Sequence, residues 1–242
     1  ELPSRTEITV HVEPSKEEKA FYEALRRNAL EKLADTEGSS AGQQRMKMLA
    51  EIMRLRRACC HPKLVMPEST IGSAKLAAFG NILEELIENR HKALVFSQFV
   101  GHLSIIRDYL DQRGISYQYL DGSTPAKQRQ KRVNAFQAGE GDLFLISLKA
   151  GGSGLNLTAA DYVIHMDPWW NPAVEDQASD RAHRMGQKRP VTIYRMVTQY
   201  TIEDKIVEMH QQKRDLASNL LEGTEVSGKI SLDEMMNLIK DI

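Results

Sequence analysis

Three side chains carry the sharpest chemical signal in this sequence: Gln177, Arg181 and Arg184. In a helix over Val174–Gln187 they stand at offsets of zero, four and seven. At ~100° per residue that spacing puts all three within about 60° of one another. A guanidinium is a planar, permanently charged fork, suited to the spread charge of a phosphoryl group in transfer. An arginine supplied from a neighbouring module contributes about 10³ to 10⁵ in rate to such a transfer, or roughly 4 to 7 kcal/mol. The alternative is a surface arginine pair saturated by acids, for which Asp176 and Asp180 are at hand.

A second signal is the loop from Ser147 to Asn156, which packs Gly151, Gly152, Gly154 and Lys149 directly after an apolar run. Glycines there let backbone N–H groups approach phosphate oxygens, and the lysine adds a point charge; a tight structural turn is the other reading. It is no dinucleotide fingerprint, because aligning Gly152 and Gly154 puts Leu157 where a third glycine belongs. A search for the ATP-cradling loop returns Gly223, Gly228 and Lys229, but Ile230 replaces the Ser or Thr that would hold Mg²⁺, and the segment follows a helix. A solvated loop is expected there, and the chain lacks recognisable parts for binding Mg²⁺ with ATP. Cys59 and Cys60, the only cysteines, have no partners at disulfide or zinc spacing. They are expected to be buried thiols in a reducing, intracellular setting, and no metal site is expected.

Composition narrows the class. With 27% charged and 41% hydrophobic residues and a net charge of −1, the 242 residues read as a soluble globular chain. No apolar run approaches the ~18 residues of a membrane span, so membrane and export readings drop out. Opening on Glu1 rather than Met, the sequence is expected to be a piece of something longer. The neutral total hides two basic stretches. Arg45, Lys47, Arg54, Arg56, Arg57 and Lys63 face one acid, Glu51; Lys127, Arg129, Lys131 and Arg132 face none between Pro125 and Gly139. Each is either a phosphate-binding surface or a solvated helix face.

The elements that must position these residues follow from periodicity. Residues 15–66 read as helical, opening on a capping box of Ser15 and Glu18 and broken at Gly38–Gly42. From residue 72 onward, apolar runs at Lys92–Phe96, Tyr117–Leu120, Leu143–Ser147, Tyr162–Met166 and Val191–Val197 read as strands. Amphipathic segments between them read as helices, one closing at Arg113-Gly114 and the next opening at Thr124-Pro125. The last helices carry Ile202, Ile206, Met209, Leu216 and Leu220, then a short one capped by Ser231 and Glu234. Strand and helix alternating this way predict an α/β, doubly wound parallel sheet. In such sheets ligands bind beyond the carboxyl ends of the strands. There the loops hold Ser97–Phe99, Asp121–Thr124, Lys149–Gly154 and Asp167–Pro172.

Several runs together resemble one family. Ser147–Leu157 (SLKAGGSGLNL), Asp167–Pro172 (DPWWNP) and Gln177–Gln187 (QASDRAHRMGQ) are similar to motifs V, Va and VI of the Swi/Snf family of superfamily-two helicase-like ATPases. Leu94–Phe99 (LVFSQF) and Tyr119–Thr124 (YLDGST) resemble motif IV and the one after it, and Leu55–Pro62 (LRRACCHP) resembles a segment of the second-lobe protrusion. The resemblance implies a RecA-like second lobe, flanked by helices, of a DNA-stimulated ATPase that moves along double-stranded DNA, usually without separating its strands. The first RecA-like lobe, expected elsewhere in the polypeptide, would hold most of the ATP and Mg²⁺. Carried over by motif position, Arg181 and Arg184 would be transition-state arginines, with Gln177 a γ-phosphate sensor and Gly154 in the cleft wall. Gln98, Ser123, Thr124, Lys149 and Trp169 or Trp170 would lie along the tracked DNA strand, joined by the basic residues Lys127, Arg129, Lys131 and Arg132. Lys149 stands where the family commonly has arginine, without arginine's bidentate reach.

The domains expected are an extended linker over 1–14, a helical protrusion over 15–70, the RecA-like domain over 71–200 and a C-terminal brace helix and tail over 201–242. The isolated chain is expected to hydrolyse ATP negligibly. A nuclear home is implied if the host is eukaryotic, a cytoplasmic or nucleoid one if bacterial; the DNA-bound protein cargo is not legible. The rival reading from another class is a non-catalytic docking module for nucleic acid or protein, its arginines purely structural.

Overall fold

The computed structural model describes residues 1–35, 38–150, 154–219 and 230–240, without the side chains of 213–219. Of the residues named above, Gly151, Gly152, Ser153, Leu220, Gly223, Gly228, Lys229 and the Leu216 side chain lie outside the described residues. Six strands form one sheet: β1 (Arg5–Val12), β2 (Ala93–Ser97), β3 (Tyr117–Leu120), β4 (Leu143–Ser147), β5 (Tyr162–His165) and β6 (Val191–Thr198), in the order β1-β6-β5-β2-β4-β3. The helices are α1 (Lys16–Ala34), α2 (Ala41–Cys60), α3 (Ala74–Glu88), α4 (Val100–Gln112), α5 (Ala126–Gln137), α6 (Pro172–Ser179), α7 (Ile202–Asn219) and α8 (Leu232–Lys240). None of these described helices is long and apolar enough to cross a membrane.

The chain divides into two compact units. The first, Glu1–Val12 with Lys75–Val197, contains the sheet. Its inner strands β2 and β4 are buried at every residue, as expected of strands covered on both faces. β2 pairs in parallel with β4 and β5, β4 with β3, and β5 with β6. Because Leu94 lies opposite Phe144 and Val163, these three share a face with Phe96 and Ile146. That face packs on Val133 and Phe136 of α5 and on Ala178 of α6. α4 packs against β2 and β4 and buries Leu103, Ile106 and Leu110. The result is a doubly wound sheet in which β2 to β6 run parallel, so their carboxyl ends present loops on one side.

Two boundaries differ from expectation. The edge strand β1 occupies part of what reads as a linker; only Val12 of its residues is buried, so it lacks the continuous apolar run that marks the inner strands. Helix α5 starts at Ala126 with Pro125 as N-cap, so Thr124 caps nothing; its hydroxyl accepts instead from Asp121 N at 3.1 Å. The closing of α4 at Arg113, with Gly114 at φ +65°, is as expected.

The second unit, Glu13–Ala74 with Thr198–Ile242, is helical. The Ser15 hydroxyl accepts from Glu18 N at 3.1 Å while Glu18 Oε1 accepts from Ser15 N at 3.2 Å, the expected capping box. Ser40 and Gln43 form a second box that starts α2, so Ala41 and Gly42 of the expected break already belong to that helix. α2 packs on α1, α7 and α8, and Cys59 and Cys60 are buried. The Tyr22 hydroxyl accepts from Ile202 N at 2.9 Å, and the Thr198 hydroxyl donates to Cys59 O at 2.9 Å. Ser231 caps α8 through Glu234 N at 3.1 Å.

Leu94, wholly buried at the centre of the sheet, sets the scale of core packing. Leu94→Ala is expected to lower the unfolding free energy by about 2–5 kcal/mol in urea titrations followed by circular dichroism. A loss under about 1 kcal/mol would contradict the packing described.

Candidate functional site

Helix α6 starts behind Asn171, whose side chain accepts from Ala173 N, and ends at Ser179. The helix expected over Val174–Gln187 therefore stops half-way. Arg181 and Arg184 stand on the turns that follow, so the shared helical ridge does not hold. The reason lies in Gln187. Its buried amide donates to the carbonyls of Thr158 (3.1 Å), Ala160 (2.8 Å) and Ala182 (2.9 Å), and Leu157 N donates to Arg181 O at 2.9 Å. These bonds draw the carbonyls of Arg181 and Ala182 out of a helical ladder and onto the segment between β4 and β5. Gly186 at φ +99° completes the reversal, a backbone angle that favours glycine.

The turn nevertheless brings the expected residues together. Gln177, Arg181, Arg184 and Gly154 line one open cavity of about 650 Å³, with Leu2, Asp180, His183 and Met185. Arg181 is 7% exposed, and its guanidinium carbon lies 5.4 Å from the centre of the Phe96 ring on β2. Burial lowers its pKa, although an arginine so placed still carries its charge. Arg184 Nη1 donates to Leu155 O at 3.1 Å, which fixes its stem while other donors remain for a ligand. Gly154 sits at φ +104° with open space where a side chain would be. Gln177 is exposed on α6.

The acids expected to saturate the arginines are engaged elsewhere. Arg5 of β1 pairs with Asp176 Oδ1 at 3.1 Å, Asp180 Oδ1 at 3.2 Å and Glu7 Oε1 at 2.7 Å. Burial alone would lower the Arg5 pKa, but the bond and charge of Glu7 and the two aspartates raise it. His183, read from sequence as a packing residue, makes a 2.8 Å contact with Pro3 O.

The tryptophan loop is anchored by a buried ion pair. Glu175 of α6, 2% exposed, meets Arg195 of β6 at 2.6 Å through Oε1 and accepts from Trp169 N at 3.0 Å through Oε2. Trp169 and Trp170 are each part-buried. Asp167 before them accepts from the Ser97 hydroxyl and from Gln98 N. Burial would raise Asp167, yet His102, the Ser97 hydroxyl and Lys75 hold it below the usual carboxylate range. Gln98 is 8% exposed, and its amide nitrogen and oxygen have no hydrogen-bond partner among the described residues.

The remaining candidates fall into two kinds. Lys127 and Lys149 present exposed side chains. Arg129 is a bracket: it donates to Thr124 O (2.9 Å), Ala150 O (2.6 Å) and Asp121 O (3.2 Å), tying the loops after β3 and β4 together. Arg132 likewise donates to Tyr119 O at 2.6 Å, while Lys131 is exposed. Ser123 donates through both N and Oγ to Asp121 Oδ1, so Ser123 and Thr124 shape this loop from within. Sequence reasoning missed Gln187 and Arg5, whose partners are backbone carbonyls in one case and side chains more than 170 positions away in the other.

Two family descriptions match this chain: "Helicase conserved C-terminal domain" over residues 74–186 and "SNF2-related domain" over residues 1–64. It is 36% identical over 256 residues to the mouse SWI/SNF-related matrix-associated actin-dependent regulator of chromatin subfamily A member 1, a match covering 99% of this chain and 24% of that protein. The Sulfolobus solfataricus SWI2/SNF2 ATPase C-terminal domain aligns with a TM-score of 0.78 and 26% identity, over 99% of this chain and 100% of that one. The chain belongs to the Swi/Snf family of helicase-like ATPases. It corresponds to the Swi/Snf C-terminal lobe. The S. solfataricus SWI2/SNF2 ATPase core, solved in complex with dsDNA, is similar with a TM-score of 0.79 and 28% identity, over 99% of this chain and 51% of that one. This Swi/Snf lobe spans about a quarter of the length of the curated relatives it matches.

Two outcomes test the geometry of the lobe. Gln187→Ala leaves three carbonyls without their donor and is expected to lower unfolding free energy by about 1–3 kcal/mol in urea titrations. An unchanged midpoint would contradict the clamp. Asp121 is held below its ordinary pKa by the Ser123 hydroxyl first and the Tyr119 hydroxyl second, while burial and Asp121 push Tyr119 up to about 12. With its folded pKa depressed, Asp121 stabilises the loop above about pH 4, and that contribution is lost as pH falls through the folded value. Protection of the Ser123 amide, taken relative to intrinsic exchange at the same pH, is expected to fall in that acid range, and Asp121→Asn to remove that fall.

Proposed function

We propose that this chain is the second motor lobe of a DNA-dependent ATPase that translocates on double-stranded DNA and remodels protein–DNA complexes. The observation that carries the reading is the single cavity into which Gln177, Arg181, Arg184 and Gly154 converge, beside acids held by Arg5. Two guanidiniums and an amide suit the phosphate end of ATP. Arg181 and Arg184 would stabilise charge on the transferring phosphoryl group, and Gln177 would report on the terminal phosphate. The cavity does not suit Mg²⁺, because Asp180, its only carboxylate among the described residues, holds Arg5. In this reading the first RecA-like lobe holds Mg²⁺ and most of ATP, residues 15–70 form the protrusion, and residues 201–242 the brace. The cellular site is intracellular, where DNA is.

The DNA grip would come from Lys127, Lys149, Gln98, Ser123, Thr124 and the tryptophan loop, with Arg129 holding two of those loops in register. Contacts of this kind are to phosphates, so affinity is steeply salt-dependent and nearly blind to sequence. Closure of the two lobes around ATP would bring the arginines in, and reopening would shift the grip along the backbone. The dsDNA complex of the similar S. solfataricus core supports DNA as the partner.

In the parent polypeptide, Arg184→Ala and Arg181→Ala are each expected to lower DNA-stimulated ATP turnover by about 10³-fold or more, read by phosphate release. DNA affinity, read by fluorescence anisotropy, is expected to stay within about twofold, since neither side chain grips the backbone. Intact turnover, or lost DNA binding, would support the docking module instead. The 242-residue chain alone is expected to hydrolyse ATP negligibly; turnover at motor rates would sink the lobe assignment.

A further inference from the structure

The three ion pairs of Arg5 are not explained by stability. Arg5 is 23% exposed at its side chain and its partners Asp176 and Asp180 are 44% and 59% exposed, a setting in which ion pairs contribute little to folding. Their location is more telling. Asp180 lines the arginine cavity and directly precedes Arg181, and Asp176 directly precedes Gln177. A carboxylate released at either position would repel an incoming phosphate and compete with it for the guanidiniums.

We infer that Arg5 is a positioning residue: by holding Asp176 and Asp180 it keeps two carboxylates off Arg181 and Arg184, and so keeps the cavity receptive to a phosphate anion. The inference rests on the proposed function of that cavity. The residues just before Arg5 meet the same turn through Pro3 O and His183 at 2.8 Å, with Leu2 in the cavity wall, and meet the start of β6 through Ser4 O and Val191 N at 3.0 Å. Arg5 lies in the stretch matched by the SNF2-related description, and the turn in the stretch matched by the helicase C-terminal one. The ion pairs therefore join two segments that the family descriptions treat apart.

The test is steady-state ATP turnover of the parent polypeptide at saturating DNA. Arg5→Ala and Arg5→Gln are expected to lower kcat by about 10- to 100-fold, the scale of a misplaced catalytic group. Adding Asp176→Asn and Asp180→Asn to Arg5→Ala removes the carboxylates and is expected to restore kcat to within about threefold of the parent, a coupling that independent sites do not show. A strut would not be rescued by deleting its partners. The inference is overturned if Arg5→Ala and Arg5→Gln turn over normally while Arg184→Ala is dead, or if the triple variant stays as slow as Arg5→Ala. If Arg5→Ala does not fold, the triple variant decides alone: turnover near the parent's supports the inference, and its loss overturns it. Normal turnover of Arg184→Ala would instead strike at the function proposed for the cavity.

Discussion

The Gln187 amide is the constraint on which the site depends. One buried side chain holds the carbonyls of Thr158, Ala160 and Ala182, and so decides that the chain leaves its helix at Ser179. Had the helix run on, Arg181 and Arg184 would project along a regular ridge. The bent segment instead lays Arg181 over the Phe96 ring near the carboxyl end of the inner strand β2 and ties Arg184 to Leu155. A glutamine suits this work: its two N–H donors reach carbonyls from separate turns, and it stays neutral, so burying it leaves the nearby charges undisturbed.

The inner sheet was legible because its signal is local. β2, β4 and β5 announce themselves as short apolar runs between turn residues, and the first capping box of α1 is readable over four positions. The site was legible in part. Residue types and motif order pointed to Gln177, Arg181, Arg184 and Gly154, and all four share a cavity, although the helical geometry expected to unite them is absent. What decides that geometry is long-range. Gln187 acts on backbone carbonyls nearly thirty positions away, which no side-chain pattern records. β1, with only Val12 buried at the sheet edge, gives no buried run to detect, and its Arg5 finds its acids only once the sheet has formed.

Arginine and lysine divide the work in the basic stretch after β3. Arg129 and Arg132 set their forks on backbone carbonyls, where five donors in one plane can serve several acceptors at once. Lys127 and Lys131 carry a point charge outward. A run of like charge thus contains both the scaffold of a loop and the surface it offers, and counting charges alone does not separate them.

The bond from Arg132 to the carbonyl of Tyr119 has a consequence for solubility. β3 is the outermost strand on its side, and Ser116 O already faces β4 through Asp142 N, so Tyr119 O looks outward. Outermost strands with bare carbonyls template the addition of foreign chains and seed fibrous assembly. With a guanidinium seated on that oxygen, a stacking copy meets a positive charge where it would need an acceptor.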